Sequence, residues 1–184
     1  TERKVVRVEG GEGGTVGAAV EIAVNCAREG GRCSVFSYYR ETAARCAERA
    51  RALWTASVAG DRCVTLLPGE DSAEERAARI AALERTAGAA VLCATIDSVG
   101  MGLRLASFDD AAFCELHYVP ARLLQAEERL YDVERVRPIG LHYCVVRDSD
   151  DERVASLLVE KMGQIERVMG ADAAMEGLTR ALGS

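Results

Sequence analysis

The sequence predicts an α/β fold, a parallel sheet of about five to six strands covered by helices on both faces. Three observations predict it. Short apolar runs alternate with longer stretches of helical periodicity along most of the chain. The runs are apolar throughout rather than at every second residue, as strands buried on both faces must be. The 184 residues, 49% hydrophobic and 28% charged, make about one domain with enough chain to bury a substantial core.

Taken in order, residues 1–14 read as a leader whose closing GGEGG run suits a flexible linker or crossing loop. Thr15 caps a helix to about Glu29, with Val16, Ala19, Val20, Ala23, Val24 and Ala27 on one face and Gly30-Gly31 as its stop. CSVFS (33–37) is a short buried strand. A helix over 41–53 and a strand near 63–67 follow, and Pro68-Gly69 breaks that strand. Asp71 or Ser72 starts a helix to about Arg85, with Ala77, Ile80, Ala81 and Leu83 expected in the core. AAVLCAT (89–95) and AAFCEL (111–116) are the third and fourth strands, and a helix over 121–133 leads to the strand LHYCVV (141–146). The last helix, 151–169, carries Val154, Leu157, Leu158, Met162, Ile165 and Val168 at helical spacing. The expected organisation is a leader (1–14), one α/β domain (15–170) and a short helix or tail (171–184).

Composition narrows the function classes. No apolar run approaches the roughly 18 residues that span a membrane, and TERKVVRVEGG is no signal peptide, so a soluble intracellular protein is expected. There are seven cysteines, but no C-x-x-C pair, and His117 and His142 are not spaced as metal ligands with any of them. Cys33, Cys63, Cys93, Cys114 and Cys144 lie within or beside apolar strands, which reads as buried reduced thiols rather than zinc ligands. A net charge of −6 opposes a free-standing nucleic-acid binder, which carries a basic excess. Any DNA contact is expected to be weak for this chain alone, as one wall of a cleft.

In an open parallel sheet ligands sit at the carboxyl ends of the strands. That rule selects residues 37–40, 68–71, 95–102, 116–120 and the loop after Val146. Gly100 and Gly102 let backbone approach a phosphate and leave N–H groups to donate to it, and the Thr95 hydroxyl adds a donor at the strand end. Tyr38 and Tyr39 end the first strand, where a ring either stacks on a base or ribose or packs at the rim. His117 reads as a packing residue at a corner. Residues 147–152, RDSDDE, read as an acidic cap on a helix N-terminus, with no metal expected.

Residues 92–170 resemble motifs V and VI of the second RecA-like domain of superfamily-two helicases, nearest to the SWI/SNF-type translocases of the annealing-helicase (HARP-like) branch. Gly100-Met101-Gly102-Leu103, followed by Leu105 and Asp109, resembles that family's Gly-x-Gly-Leu run. Residues 115–120, ELHYVP, fall on a Glu-Leu-aromatic-Trp-Asn-Pro corner, with Tyr118 for Trp and Val119 for Asn. Gln125-Ala126-Glu127-Glu128-Arg129 falls on Gln-Ala-Glu-Asp-Arg, and His142-Tyr143 on a His-Tyr of the last strand. Leu157, Leu158, Glu160 and Lys161 match the helix that follows. Upstream, Val35-Phe36-Ser37 and the segment from Leu67-Pro68-Gly69 to Arg76 match more loosely.

The resemblance implies a RecA-like parallel sheet that acts with a first RecA-like domain of the same polypeptide, making this chain a segment of a longer protein. ATP and Mg2+ would be bound mainly by that first domain, since no G-x-x-x-x-G-K-[ST] run occurs here. Gly100, Gly102, Gln125 and Arg129 would face ATP, and Ser37, Tyr38, Gly69, Thr95 and Ser98 would face DNA. Arg129 matches the first motif VI arginine, a bidentate phosphate ligand. Asp132 stands where the second is expected, the finger worth about 10³–10⁵ in rate. An anion beside a triphosphate repels it, so Arg135 or Arg137 is the available surrogate. Two functions follow: the second motor domain of an ATP-dependent DNA translocase, inactive when isolated, or a catalytically dead helicase-like module used for protein interaction or regulation. Nuclear residence follows from the resemblance alone, and oligomeric state is not encoded in any recognisable pattern.

Overall fold

A computed structural model of the chain describes residues 1–11, 13–55, 63–67, 71–99, 104–116, 120–131 and 137–169. The elements run β1 (Glu2–Val8), α1 (Gly14–Arg28), β2 (Arg32–Ser37), α2 (Arg40–Thr55), β3 (Cys63–Leu67), α3 (Ala73–Arg85), β4 (Ala90–Thr95), a 3-10 turn (Ile96–Val99), β5 (Asp110–Phe113), α4 (Pro120–Glu128), β6 (Gly140–Val146) and α5 (Asp150–Met169). They form a six-stranded sheet in the order β1-β6-β5-β2-β4-β3. Every adjacent pair is parallel, so the carboxyl ends of all six strands share one edge. This is the RecA-like α/β architecture.

The two faces of the sheet differ in side-chain size. Cys33, Val35, Val91, Cys93, Ala112, Cys114 and Cys144 face α1 and α2, whose buried residues, Trp54 at the end of α2 apart, are also small: Ala19, Val20, Ala23, Val24, Cys46, Ala47 and Ala50. Small residues on both sides let these helices lie close to the sheet. The opposite face carries the bulk. Phe36, Phe113 and Tyr143 are register partners on β2, β5 and β6, with ring centroids 5.2 and 5.3 Å apart. Leu123, Ala126 and Leu130 of the α4 region, Ile80 and Leu83 of α3 and Ala155 of α5 close over them.

Local sequence explains the element ends. Gly30 takes the left-handed conformation (φ 87) that ends α1. Ser72 and Glu75 form a reciprocal capping box that opens α3. Arg32 is a buried cation whose guanidinium donates to the carbonyl of Leu83 at 2.5 Å, satisfying the last turn of α3, and lies over the Phe108 ring.

Several expectations are corrected. Residues 2–8, read as part of a linker, form β1 and pair along their whole length with β6. The charges at Arg3, Lys4 and Arg7 disguised an edge strand. Ala77 and Ala81 are exposed on α3, where only Ile80 and Leu83 are buried. Val154 and Leu157 are exposed on α5, which turns Ala155, Leu158 and Val159 inward instead. The helix expected to reach 133 stops at Glu128, because Leu130 and Tyr131 donate three residues back, to Glu127 and Glu128, and tighten the last turn. β5 ends at Phe113, and Cys114 makes one further backbone bond to Phe36 before the chain turns away.

Candidate functional site

The carboxyl edge of the central strands gathers one group of candidates. Ser37 and Thr95 are register partners at the ends of β2 and β4. Both are buried, as is Ser98, and their hydroxyls work within their own turns. Thr95 Oγ1 accepts from the Ser98 amide at 3.1 Å, Ser98 Oγ donates to the Thr95 carbonyl at 2.8 Å, and Ser37 Oγ donates to the Tyr39 carbonyl at 3.0 Å. These three residues shape the edge. Tyr38 and Tyr39 are exposed beyond it.

Glu115, which sequence reasoning passed over, organises that edge. Its carboxylate accepts from the amides of Tyr38 (2.9 Å) and Tyr39 (3.2 Å) and from Thr42 Oγ1 (3.0 Å). A side chain from the end of β5 thereby caps the N-terminus of α2 across the sheet. No local pattern announces a cap supplied from so far along the chain.

A second group surrounds α4. Gln125 is exposed on the helix, one turn before Arg129. Arg129 is half-buried at the helix end, and its carbonyl accepts from the amide of Leu105 at 2.7 Å. That bond joins the residue after α4 to the segment that leads into β5. Arg122 pairs with Asp97 at 2.5 Å, which ties α4 to the 3-10 turn at the end of β4. The Nε of Arg129 is buried and makes no hydrogen bond.

What holds α4 in place is a network that sequence reasoning also missed. Glu127 Oε2 accepts from Arg3 Nη2 at 2.8 Å and Nε at 3.2 Å, and Tyr143 donates its hydroxyl to Oε1. The side chains of Arg3 and Glu127 are 5% and 2% exposed, so this is an interior ion pair. Burial, reinforced by the Glu127 charge, pushes the Tyr143 hydroxyl well above its ordinary pKa and keeps it a donor. The available signal was a carboxylate at 127 among Leu123, Leu124, Ala126 and Leu130, on the apolar face of α4.

At the opposite, amino edge, His142 Nε2 lies 3.0 Å from Asp110 Oδ1, and a hydrogen bond from His142 holds the Asp110 carboxyl below the usual range. Arg137, exposed, lines the adjoining cleft of about 580 Å³ with Asp109, Asp110, Lys4 and His142. Arg137 thus shares a cleft with carboxylates at the edge opposite the strand ends. Gly69, Gly100, Gly102, Asp132 and Arg135 lie outside the described residues, as do His117, Tyr118 and Val119. Among the described residues no three His, Cys, Asp or Glu side chains are grouped to hold a metal ion. None of the described helices is long and apolar enough to cross a membrane.

Comparison with known proteins places this geometry in context. No protein-family model matches the chain. Over 96 residues it is 27% identical to the SWI/SNF-related matrix-associated actin-dependent regulator of chromatin subfamily A-like protein 1 of Xenopus tropicalis, 52% of this chain and 10% of that protein. The protein of the same name from Bos taurus is 34% identical over 68 residues, 37% of this chain and 7% of that one. The matches therefore span a tenth or less of these relatives' length. Among solved structures, the C-terminal part of the Fun30 ATPase domain superposes with a TM-score of 0.62 at 14% identity, covering 78% of this chain and 45% of that one. Domain 2 of the Mss116p DEAD-box helicase, bound to an RNA duplex, superposes at 0.65 with 12% identity, covering 80% and 56%. The fold is the RecA-like α/β fold that these two domains share.

Proposed function

We propose that this chain is the second motor domain of an ATP-dependent DNA translocase of SWI/SNF type, near the annealing-helicase branch, working in the nucleus with a first RecA-like domain of the same polypeptide. The observation that carries the reading is Arg129: the arginine of the Gln-Ala-Glu-Glu-Arg run directly follows α4, its carbonyl bonded to the amide of Leu105 and its Nε buried and unsatisfied. ATP bound by the first domain would present a phosphate to that guanidinium, which neutralises charge without proton transfer. Its magnesium ion would be held by the first domain. Thr95, Ser98 and Ser37 would keep the strand-end edge in shape, and exposed Tyr38 would meet DNA. Closure of the cleft on ATP and reopening after hydrolysis would then shift this edge along one strand.

A second reading, a catalytically silent module for interaction or regulation, is favoured by one observation, the aspartate at position 132 where motif VI has its finger. DNA-stimulated ATP hydrolysis by the full-length protein separates the two. The motor reading expects activity that falls at least tenfold in Arg129→Ala, since one phosphate-binding donor is worth about 10²–10³ in rate. No activity in the wild type, Arg129→Ala or Asp132→Arg would refute it. A gain confined to Asp132→Arg would mark a motor disabled at that residue.

A further inference from the structure

At the end of β2 the chain presents two aromatic rings on an edge whose anion seat is filled. Tyr38 and Tyr39 are 36% and 54% exposed. Their rings meet edge to face, centroids 4.8 Å apart and planes at 85°. The amides beneath them, at the positive end of the 16-residue helix α2, form the kind of site where a nucleic-acid phosphate would bind. Here both amides, and the Thr42 hydroxyl, are already taken by the Glu115 carboxylate. A phosphate arriving at these amides meets the like charge of Glu115 and finds both of them taken. A nucleobase does not. Its face is neutral and stacks on tyrosine without needing those amides.

We propose that Tyr38 and Tyr39 form a stacking platform for one unpaired nucleobase, with Glu115 as the positioning residue that holds the platform and keeps phosphate off α2. This rests on the nucleic-acid reading of the strand-end edge and deepens it, naming as ligand a DNA with at least one unstacked base: a single strand, a gap or a junction. Tyr39, the more exposed ring, supplies the stacking face, and Tyr38 lies roughly perpendicular to it. Arg40, exposed at the first residue of α2, puts a cation next in sequence for a flanking phosphate. The Glu115 anchor fixes both backbone amides, so the rings are set before the base arrives, which lowers the ordering cost of binding.

The test is titration of the chain onto two short oligonucleotides at low salt, each carrying 2-aminopurine, once unpaired in a single strand and once paired in a duplex. The unpaired base is expected to lose fluorescence on binding. Tyr39→Ala should weaken the single-strand complex about 5- to 100-fold and abolish the quench, leaving the salt dependence unchanged. Tyr39→Phe should retain both. Glu115→Gln should instead steepen the slope of log K against log salt by about 0.7, one additional phosphate contact on a single strand, and shrink the preference for the unpaired base. A merely structural role for Glu115 would weaken binding without steepening that slope, and would overturn its part in the proposal. If wild type binds both oligonucleotides and Tyr39→Ala binds and quenches as wild type does, the platform is wrong while the nucleic-acid reading stands. If wild type binds neither, both fall.

Discussion

Glu127 is the residue whose removal should cost this fold most for its size. Its carboxylate is 2% exposed, and it neutralises an Arg3 guanidinium that is itself 5% exposed. Breaking a buried pair by removing one partner costs about 3–5 kcal/mol, because the remaining ion keeps its desolvation penalty and loses its attraction. Glu127→Ala also removes the acceptor of the Tyr143 hydroxyl. At about 2–4 °C per kcal/mol for a chain of this length, the melting temperature should fall by roughly 6–20 °C. Urea unfolding followed by Trp54, the single tryptophan and 4% exposed, measures the change as a shift in midpoint at constant slope. The pair also makes a stronger demand. Arg3→Met combined with Glu127→Leu removes both charges, and the double variant should recover most of the loss caused by Glu127→Ala. A Glu127→Ala loss below about 1 kcal/mol, the range of exposed pairs, would refute the reasoning. So would a double variant no more stable than that single one.

Three further outcomes are expected. A Cβ at Gly140 would collide with Asp110 Oδ1, so Gly140→Ala should displace the carboxylate from His142 and cost about 1–3 kcal/mol as overpacking, read from thermal unfolding. The hydrogen bond from His142 depresses the Asp110 pKa, so its contribution is complete above the unfolded value of about 3.9 and is lost as pH falls through the lower folded value. Asp110→Asn should therefore flatten the acid limb of stability against pH below about 4, seen as a smaller drop in urea midpoint between acid and neutral buffer. Ser72→Ala removes the acceptor of the Glu75 amide in the capping box and should cost about 1 kcal/mol by urea unfolding.

The regular elements were legible because each obeys a local rule. The small-residue stripe of α1, the Ser72–Glu75 box and the continuously apolar runs of β2 and β4 need no tertiary information. Long-range chemistry was not legible. β1 looks polar at Glu2, Arg3, Lys4 and Arg7 because it is an edge strand, and its partner β6 lies at the far end of the sequence. Alanine marks helix as readily as core, which is why Ala77 and Ala81 were misplaced. The residues that organise the site, Glu115 and Glu127, violate local pattern: each is a carboxylate at a strand end or on an apolar helix face. Their reason lies in the amides of Tyr38 and Tyr39 and in Arg3, 76 to 124 residues distant in sequence.

Those two carboxylates also bear on how a motor half would transmit force. α4 is tied to β1 by Arg3–Glu127 and to β6 by Tyr143, and β6 stacks through Phe113 onto Phe36 of β2. β2 then leads directly into the Tyr38–Tyr39 edge that Glu115 anchors to β5. The steps from α4 to β2 therefore run through buried aromatic packing or a charge-assisted bond. Close-packed interiors yield little under load, so a displacement imposed at Arg129 would reach the strand-end edge as rotation of the whole sheet rather than bending of α4. The translocation step in this reading is a rigid-body movement of the domain, and the compliance it needs must reside between domains.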